Sequence, residues 1–277
     1  MKRILTIQDI SCVGKCSLTV ALPIISAMGV ETAIIPTAVL STHTMFKNFT
    51  FRDLTGEIEP ISRHWKDENI DFDSIYTGYL GSAEQIDIIA NLFDEFKTDK
   101  NFIIVDPVMA DNGKLYPAFD MTFAGKMATL CAKADIIIPN ITEASFMTGM
   151  EYKTSYDEAY IKEMLKKLSD LGARISILTG ATFDEDSIGV MGYDSEIGEY
   201  YYYKHEKIDA AYHGTGDIFA STLVGSLANG LTWQESIPIA ADYTAKCIQL
   251  TIDDENGRTY GVNFEEAIPY LLKKIEK

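Results

Sequence analysis

The run Gly214-Thr215-Gly216-Asp217, continuing into apolar Ile218-Phe219-Ala220, places a carboxylate beside a glycine turn at a predicted helix start. Glycine lets the backbone approach a ligand closely and take positive φ. Free N–H groups and the dipole at a helix start attract negative charge. This combination can perform phosphoryl transfer, with N–H groups holding phosphoryl oxygens while Asp217 takes a proton from a substrate hydroxyl. The same residues also suit a plain helix N-terminus, with Thr215 as cap and Asp217 complementing the dipole. The run alone does not separate the two readings.

Other polar residues stand where apolar runs end: Gln8-Asp9, His43-Thr44, Thr77-Gly78-Tyr79-Leu80-Gly81, Asp106-Pro107-Val108-Met109-Ala110-Asp111, Pro139-Asn140-Ile141-Thr142-Glu143 and Thr179-Gly180. In open α/β sheets, ligands bind beyond the carboxyl ends of strands. Asp106 and Asp111 can hold Mg²⁺ through water, since that ion keeps much of its hydration and prefers oxygen ligands. The alternatives are Asp-Pro and Asp-Asn-Gly turns, and for Asn140 and Glu143 a helix start with a capping glutamate. Joint placement at strand ends favours a phosphoryl-transfer site. Val13-Gly14-Lys15-Cys16-Ser17 is no Walker loop, because Asp9 stands where that loop needs glycine and Cys16 where it needs Ser or Thr. Lys15 reads as an exposed lysine at a helix start, and His43 as a structural loop residue. The Rossmann glycine pattern is also absent.

The elements needed to position these residues follow from alternating apolar runs and helical segments, the signature of βαβ units in one doubly wound domain spanning 1–277. Strands are predicted at 3–8, 31–39, 74–78, 101–105, 135–139, 174–179 and 187–193, with a late antiparallel hairpin closed by residues 199–204. Helices are predicted at 16–28, 83–97, 121–133, 141–149, 155–171, 216–229, 232–252 and 263–273. Pro23 predicts a kink or break in the first. Thr142, Ser155 and Asn263 read as caps, and Gly172 as a helix stop.

With 277 residues, 47% of them apolar, the chain can bury a full core. A formal charge of −17 excludes nucleic acid and anionic membranes as partners. It also repels phosphate, so local donors, a metal ion or placed lysines must offset it. No apolar run reaches membrane-span length, and four cysteines without paired spacing read as reduced thiols; both point to a cytoplasmic protein.

Taken together, these motifs resemble the pyridoxal kinases of the ribokinase-like superfamily. The match runs through Ile7-Gln8-Asp9, Ser41-Thr42-His43-Thr44, Thr77 to Gln85, Asp106-Pro107-Val108-Met109, Pro139-Asn140 with Glu143, and Gly214 to Asp217. The resemblance implies a three-layer α/β/α fold with a central mostly parallel sheet flanked by helices, a homodimer, and ATP-dependent phosphorylation of the 5′-hydroxymethyl group of B6 vitamers. It implies Asp217 as base and Gly214, Thr215 and Gly216 as the anion hole. Asp9, Thr44 and Tyr79 would contact the substrate ring, and Asn140, Thr179, Gly180, Tyr212, Thr215 and Tyr116 the nucleotide, Tyr116 within a lid. Asp106, Asp111 and Glu143 would surround Mg²⁺ and a monovalent cation, K⁺ or Na⁺. Apart from the resemblance, Lys114 beside Tyr116 supplies a positive residue that would offset the acidic field.

Three departures bear on substrate choice. Asp9 stands where family members often carry Ser, Ile138 stands where some have Thr, and His213 resembles the related hydroxymethylpyrimidine kinases. Those usually carry Cys where Asp217 stands. The competing expectations are a hydroxymethylpyrimidine or hydroxymethylpyrimidine-phosphate kinase, and a non-catalytic vitamer-binding protein on the same fold.

Overall fold

The computed structural model describes residues 1–184, 186–210, 212–255 and 260–276. They form two compact units, one of residues 1–74 with 208–277 and one of residues 75–207.

The first unit opens with β1 (Arg3–Ser11), α1 (Leu18–Ala27), β2 (Glu31–Leu40), β3 (Phe51–Asp53) and α2 (Thr55–Asp67). Strands β1 and β2 pair in parallel and β3 runs antiparallel to β2. Burial of Ile4, Leu5 and Ile7 reflects a strand covered on both faces, which the apolar run requires. The pairing slips after Gln8: Gln8 faces Pro36, while Ile10 faces Val39, so Thr37 and Ala38 share the place opposite Asp9. Such a bulge re-aims a side chain. Helix α1 continues through Pro23 rather than breaking there.

The second unit contains β4 (Ser74–Thr77, beginning at the last residue of the first unit), α3 (Ala83–Phe96), β5 (Phe102–Val105), β6 (Ala110–Asp111), β7 (Lys114–Leu115) and α4 (Met121–Cys131). It goes on with β8 (Ile136–Ile137), α5 (Ile141–Thr148), α6 (Glu158–Asp170), β9 (Ile175–Ala181), β10 (Ser187–Asp194) and β11 (Glu199–Glu206). Its main strands lie in the order β11-β10-β9-β8-β5-β4. Strands β5, β8 and β9 are parallel, and β10 runs antiparallel to both neighbours, as the predicted hairpin requires. A small separate ribbon, β6 with β7, turns through Asn112 and Gly113, both at positive φ. An Asn-Gly pair suits a two-residue hairpin of that kind.

The chain returns to the first unit with α7 (Thr215–Ala228), α8 (Trp233–Ile252) and α9 (Phe264–Ile275). Val20 and Ile24 of α1, Ile218 of α7, Tyr243 and Cys247 of α8, and Ala267 and Leu271 of α9 share one buried cluster. That packing fixes where α7 begins, and hence where Asp217 stands.

Two predicted caps shift. Helix α5 is capped by Asn140 rather than Thr142, and α6 by Asp157 rather than Ser155. In both cases an Asx side chain two residues away accepts from the N–H of the third helical residue, Glu143 or Tyr160. Asn263 does cap α9 in position, but its side chain makes no cap bond; it donates to Asp254 instead. Among the described residues no helix is long and apolar enough to cross a membrane.

Candidate active site

In the first unit, Gly214 is the N-cap of α7 and takes φ 82°, ψ 0°. A Cβ there would lie 1.9 Å from the Lys15 carbonyl oxygen, so both conformation and space demand glycine. Thr215 is therefore the first helical residue, not the cap, and its Oγ1 donates to the Tyr212 carbonyl at 3.2 Å. No side chain caps α7. The first intrahelical bond is that of the Ile218 N–H to Gly214 O, so the N–H groups at the head of the helix are open to an anion.

Asp217 lies in this first turn. It is not fully shut from solvent, but protein crowds its carboxyl and burial pushes it up to about 7. The Ser17 backbone N–H works against that rise, and the charge of Asp9 adds to it. Asp9 is 5% exposed and accepts a hydrogen bond from Ser11 Oγ at 3.2 Å. Burial holds its carboxyl above the ordinary range, against hydrogen bonds from Ser17 and Ser11. Cys16 is buried between these groups, and burial together with the charges of Asp217 and Asp9 drives its thiol pKa up. A base poised near neutrality beside bare N–H groups is the arrangement that proton removal coupled to phosphoryl transfer needs.

Around this centre, His43 is buried; its Nδ1 accepts from the Met45 N–H at 3.1 Å, and its ring centroid lies 5.0 Å from that of His213. Burial, then the neighbouring His213, keeps His43 below its ordinary pKa. Thr44 is exposed on the adjoining turn. Lys15 is not the exposed lysine its position suggested. Its Nζ bonds Glu265 at 2.8 Å and Asn263 at 3.3 Å, and sits 5.7 Å from the Phe264 ring centroid. Tyr212 packs against the cluster around Tyr243.

The second unit gathers most of the other predicted residues at its strand ends. The Asn140 Oδ1 accepts from the Glu143 N–H at 3.0 Å while Glu143 Oε2 accepts from the Asn140 N–H at 2.9 Å. This reciprocal capping box realises the helix-start alternative. The other Glu143 oxygen accepts from the Met109 N–H at 2.9 Å, and Asn140 Nδ2 donates to the Ala110 carbonyl at 2.8 Å. Asn140 thus spends its amide fastening α5 to the β6–β7 ribbon. Burial lifts Glu143 well above the usual carboxylate range, although the N–H groups of Asn140, Met109 and Ala110 oppose it and Asp111 adds to it.

Asp106 is buried just past β5, and its charge, with that of Glu143, acts on the buried Cys131 thiol. Asp111 is exposed and accepts two bonds from its neighbour, the Asn112 N–H at 2.8 Å and Nδ2 at 3.0 Å. Among the described residues no three His, Cys, Asp or Glu side chains are grouped to hold a metal ion directly. The carboxylates fit instead a hydrated cation reached through water, since every donor is a hard oxygen.

Thr179 bridges to Asn140, and its N–H donates to the Pro139 carbonyl at 3.0 Å. Gly180 follows at φ 77°, its carbonyl accepting from Tyr156 at 3.2 Å. Tyr116 donates its N–H to Met109, and the ribbon is tied down where the Gly113 N–H meets Thr142 Oγ1 at 3.0 Å. Tyr79 stacks at a tilt on Phe119, 5.6 Å between centroids, and Phe119 on Phe123 at 3.8 Å. Gln85, from the same motif as Tyr79, is wholly buried and accepts from the Gly81 N–H at 2.8 Å. Sequence reasoning missed Ser11, Ser17 and Cys16 as neighbours of the acid pair. The signal was present in Ser11, which continues β1 beyond Gln8, and in the Cys16-Ser17 pair just before α1.

A family model described as phosphomethylpyrimidine kinase matches residues 23–261. The chain belongs to that family, within the ribokinase-like superfamily. Among curated relatives, a pyridoxine kinase of Bacillus subtilis is 32% identical over 188 residues, 66% of each chain. A hydroxymethylpyrimidine/phosphomethylpyrimidine kinase of the same organism is 27% identical over 232 residues, 83% of this chain and 81% of its own. A Bacteroides thetaiotaomicron protein, provisionally named a phosphomethylpyrimidine kinase and crystallised with pyridoxal, superposes with a TM-score of 0.93 at 38% identity, covering 98% of this chain and 95% of its own. The family fold is the expected mostly parallel sheet flanked by helices.

Proposed function

We propose that this protein is an ATP-dependent kinase of B6 vitamers, transferring the γ-phosphoryl group to the 5′-hydroxymethyl oxygen. The observation carrying the reading is Asp217, pushed up to about 7 at the uncapped head of α7 behind a Gly214 that nothing else can replace. Asp217 accepts the hydroxyl proton as the oxygen bonds to phosphorus and the bond to ADP breaks. The N–H groups of Thr215 and Gly216 carry the charge of the transferred group, with Gly214 shaping the turn. Such electrostatic placement dominates phosphoryl transfer. Asp9, Thr44 and Tyr79 contact the ring. Thr179, Gly180, Tyr116 and Tyr212 line the nucleotide path, and Asn140 acts by holding the ribbon.

Mg²⁺ and a monovalent cation, K⁺ or Na⁺, would supply charge neutralisation on the phosphates, with Asp106, Asp111 and Glu143 acting through water. Residues 1–277 serving one kinase activity, a homodimer and a cytoplasmic location complete the proposal on the strength of the resemblance; light scattering on the purified chain tests the dimer.

A second reading, phosphorylation of hydroxymethylpyrimidine or its phosphate, is favoured by the family match and by the Bacillus relative. Turnover of pyridoxal, pyridoxamine, pyridoxine and the pyrimidine, each with ATP and Mg²⁺, separates the two. Preference for the pyrimidine by orders of magnitude rejects the vitamer assignment. Turnover of none of them favours the vitamer-binding alternative. Asp217→Asn should cut kcat severely while vitamer and ATP still bind, and turnover near wild type would remove Asp217 as base.

A further inference from the structure

Asp9 is a carboxyl group that the fold has enclosed without a cation beside it among the described residues. It is 5% exposed at the bulge between β1 and β2, and among the described residues it takes part in no ion pair. Its neighbours are the Ser11 hydroxyl, Ser17, the Cys16 thiol and a second carboxylate, Asp217. Lys15, one residue before Cys16, could have answered this charge, yet Glu265 and Asn263 hold its Nζ elsewhere. Enclosing a charge without a partner is costly. A core position needing only a small polar group would be served by serine or asparagine. The two carboxyls have different neighbours: Asp217 stands in the uncapped first turn of α7, while Asp9 is held by the Ser11 and Ser17 side chains.

We propose that Asp9 is a specificity residue that reads a protonated amine on the ring substrate, making the aminomethyl vitamer, pyridoxamine, the preferred acceptor. An alkylammonium stays charged at neutral pH and offers three donors, matching the free valence of Asp9 and the acceptor lone pairs of the Ser11 and Ser17 hydroxyls. Its arrival supplies the positive charge that the acid pair lacks and so lets Asp217 lose its proton to become a base. The inference rests on the vitamer-kinase reading.

The test compares kcat/KM for pyridoxamine, pyridoxine and pyridoxal in the wild type, Asp9→Asn and Asp9→Ser, at saturating ATP and Mg²⁺. A charge-assisted hydrogen bond predicts that wild type prefers pyridoxamine over pyridoxine by roughly 10-fold or more. Asp9→Asn and Asp9→Ser should erase that preference, chiefly through KM for pyridoxamine, with pyridoxamine losing roughly 10-fold more kcat/KM than pyridoxine loses. A purely structural role would lower all three vitamers together, and that outcome overturns the proposal. If neither variant folds, the wild-type ratio decides, because equal or better use of pyridoxine also overturns it. Phosphorylation of the pyrimidine alone would instead mark failure of the vitamer-kinase reading, whereas turnover of vitamers without an Asp9-dependent ratio would mark failure of this inference only.

Discussion

Replacing Gly214 by alanine probes the step from backbone geometry to catalysis most directly. At φ 82° an L-residue sits in the left-handed region, and the added Cβ would lie 1.9 Å from the Lys15 carbonyl oxygen. Left-handed backbone costs about 1–2 kcal/mol, and relieving a backbone contact this short adds strain of similar size. The sum is roughly 2–4 kcal/mol, which for a chain of this length lowers Tm by roughly 5–15 °C. The turn must also shift by about 1 Å, enough to cost ~10²-fold in kcat when it displaces groups that hold a transition state. Gly216→Ala is the internal control, since a Cβ there meets nothing within 4 Å. Alanine inside a helix is favoured over glycine by up to about 1 kcal/mol, so its Tm should hold or rise. Thermal melts and steady-state kinetics at saturating ATP measure both. A Gly214→Ala protein with wild-type Tm and kcat would refute the reasoning, as would a Gly216→Ala protein that melts as early as Gly214→Ala.

Further outcomes follow from the same structure. Because Asp217 is pushed up to about 7 by burial and then by Asp9, kcat/KM should rise with pH through about 7. Asp9→Asn removes the raising charge, so its acid limb should move to lower pH; an unmoved limb would break the link. Folding stability has the opposite trend. Asp217 and Glu143 keep protons in the fold that the unfolded chain has released above about pH 4. The native state therefore binds more protons, and ΔG of unfolding from these two groups falls as pH rises from about 4 to 7; denaturant melts at pH 5 and 7.5 of Asp217→Asn and Glu143→Gln against wild type isolate that contribution. Glu143→Gln sets an amide NH₂ against one of two N–H donors, from Asn140 and Met109. It should destabilise the chain by about 1–3 kcal/mol and speed amide exchange in the β6–β7 ribbon, and unchanged exchange at Met109 would contradict that.

The sequence by itself determined the order of most of the strands and helices, because apolar runs and helical apolar patterns survive in one dimension. It also marked Asp217, Gly214 and the acidic strand ends, since turn chemistry is local. Helix α2 and strand β3 escaped it: residues 51–67 are largely polar, with Pro60 inside the helix, and their faces are defined by what they pack on. The same holds for Lys15, which looked free until α9 folded back to present Glu265. Asn140 read as a nucleotide contact, yet its amide is claimed by the Ala110 carbonyl, 30 residues away in sequence.

What only tertiary structure decided is which charges share an environment. Asp9 and Asp217 lie more than 200 residues apart in the chain, and no local pattern shows that burial holds both carboxyls up or that the charge of Asp9 raises Asp217 further. Helix α1 packs against β1, which carries Asp9, and against α7, which carries Asp217, and so brings them together. The raised pKa values are therefore properties of the fold, because desolvation depends on everything that surrounds a group and not on its neighbours in sequence.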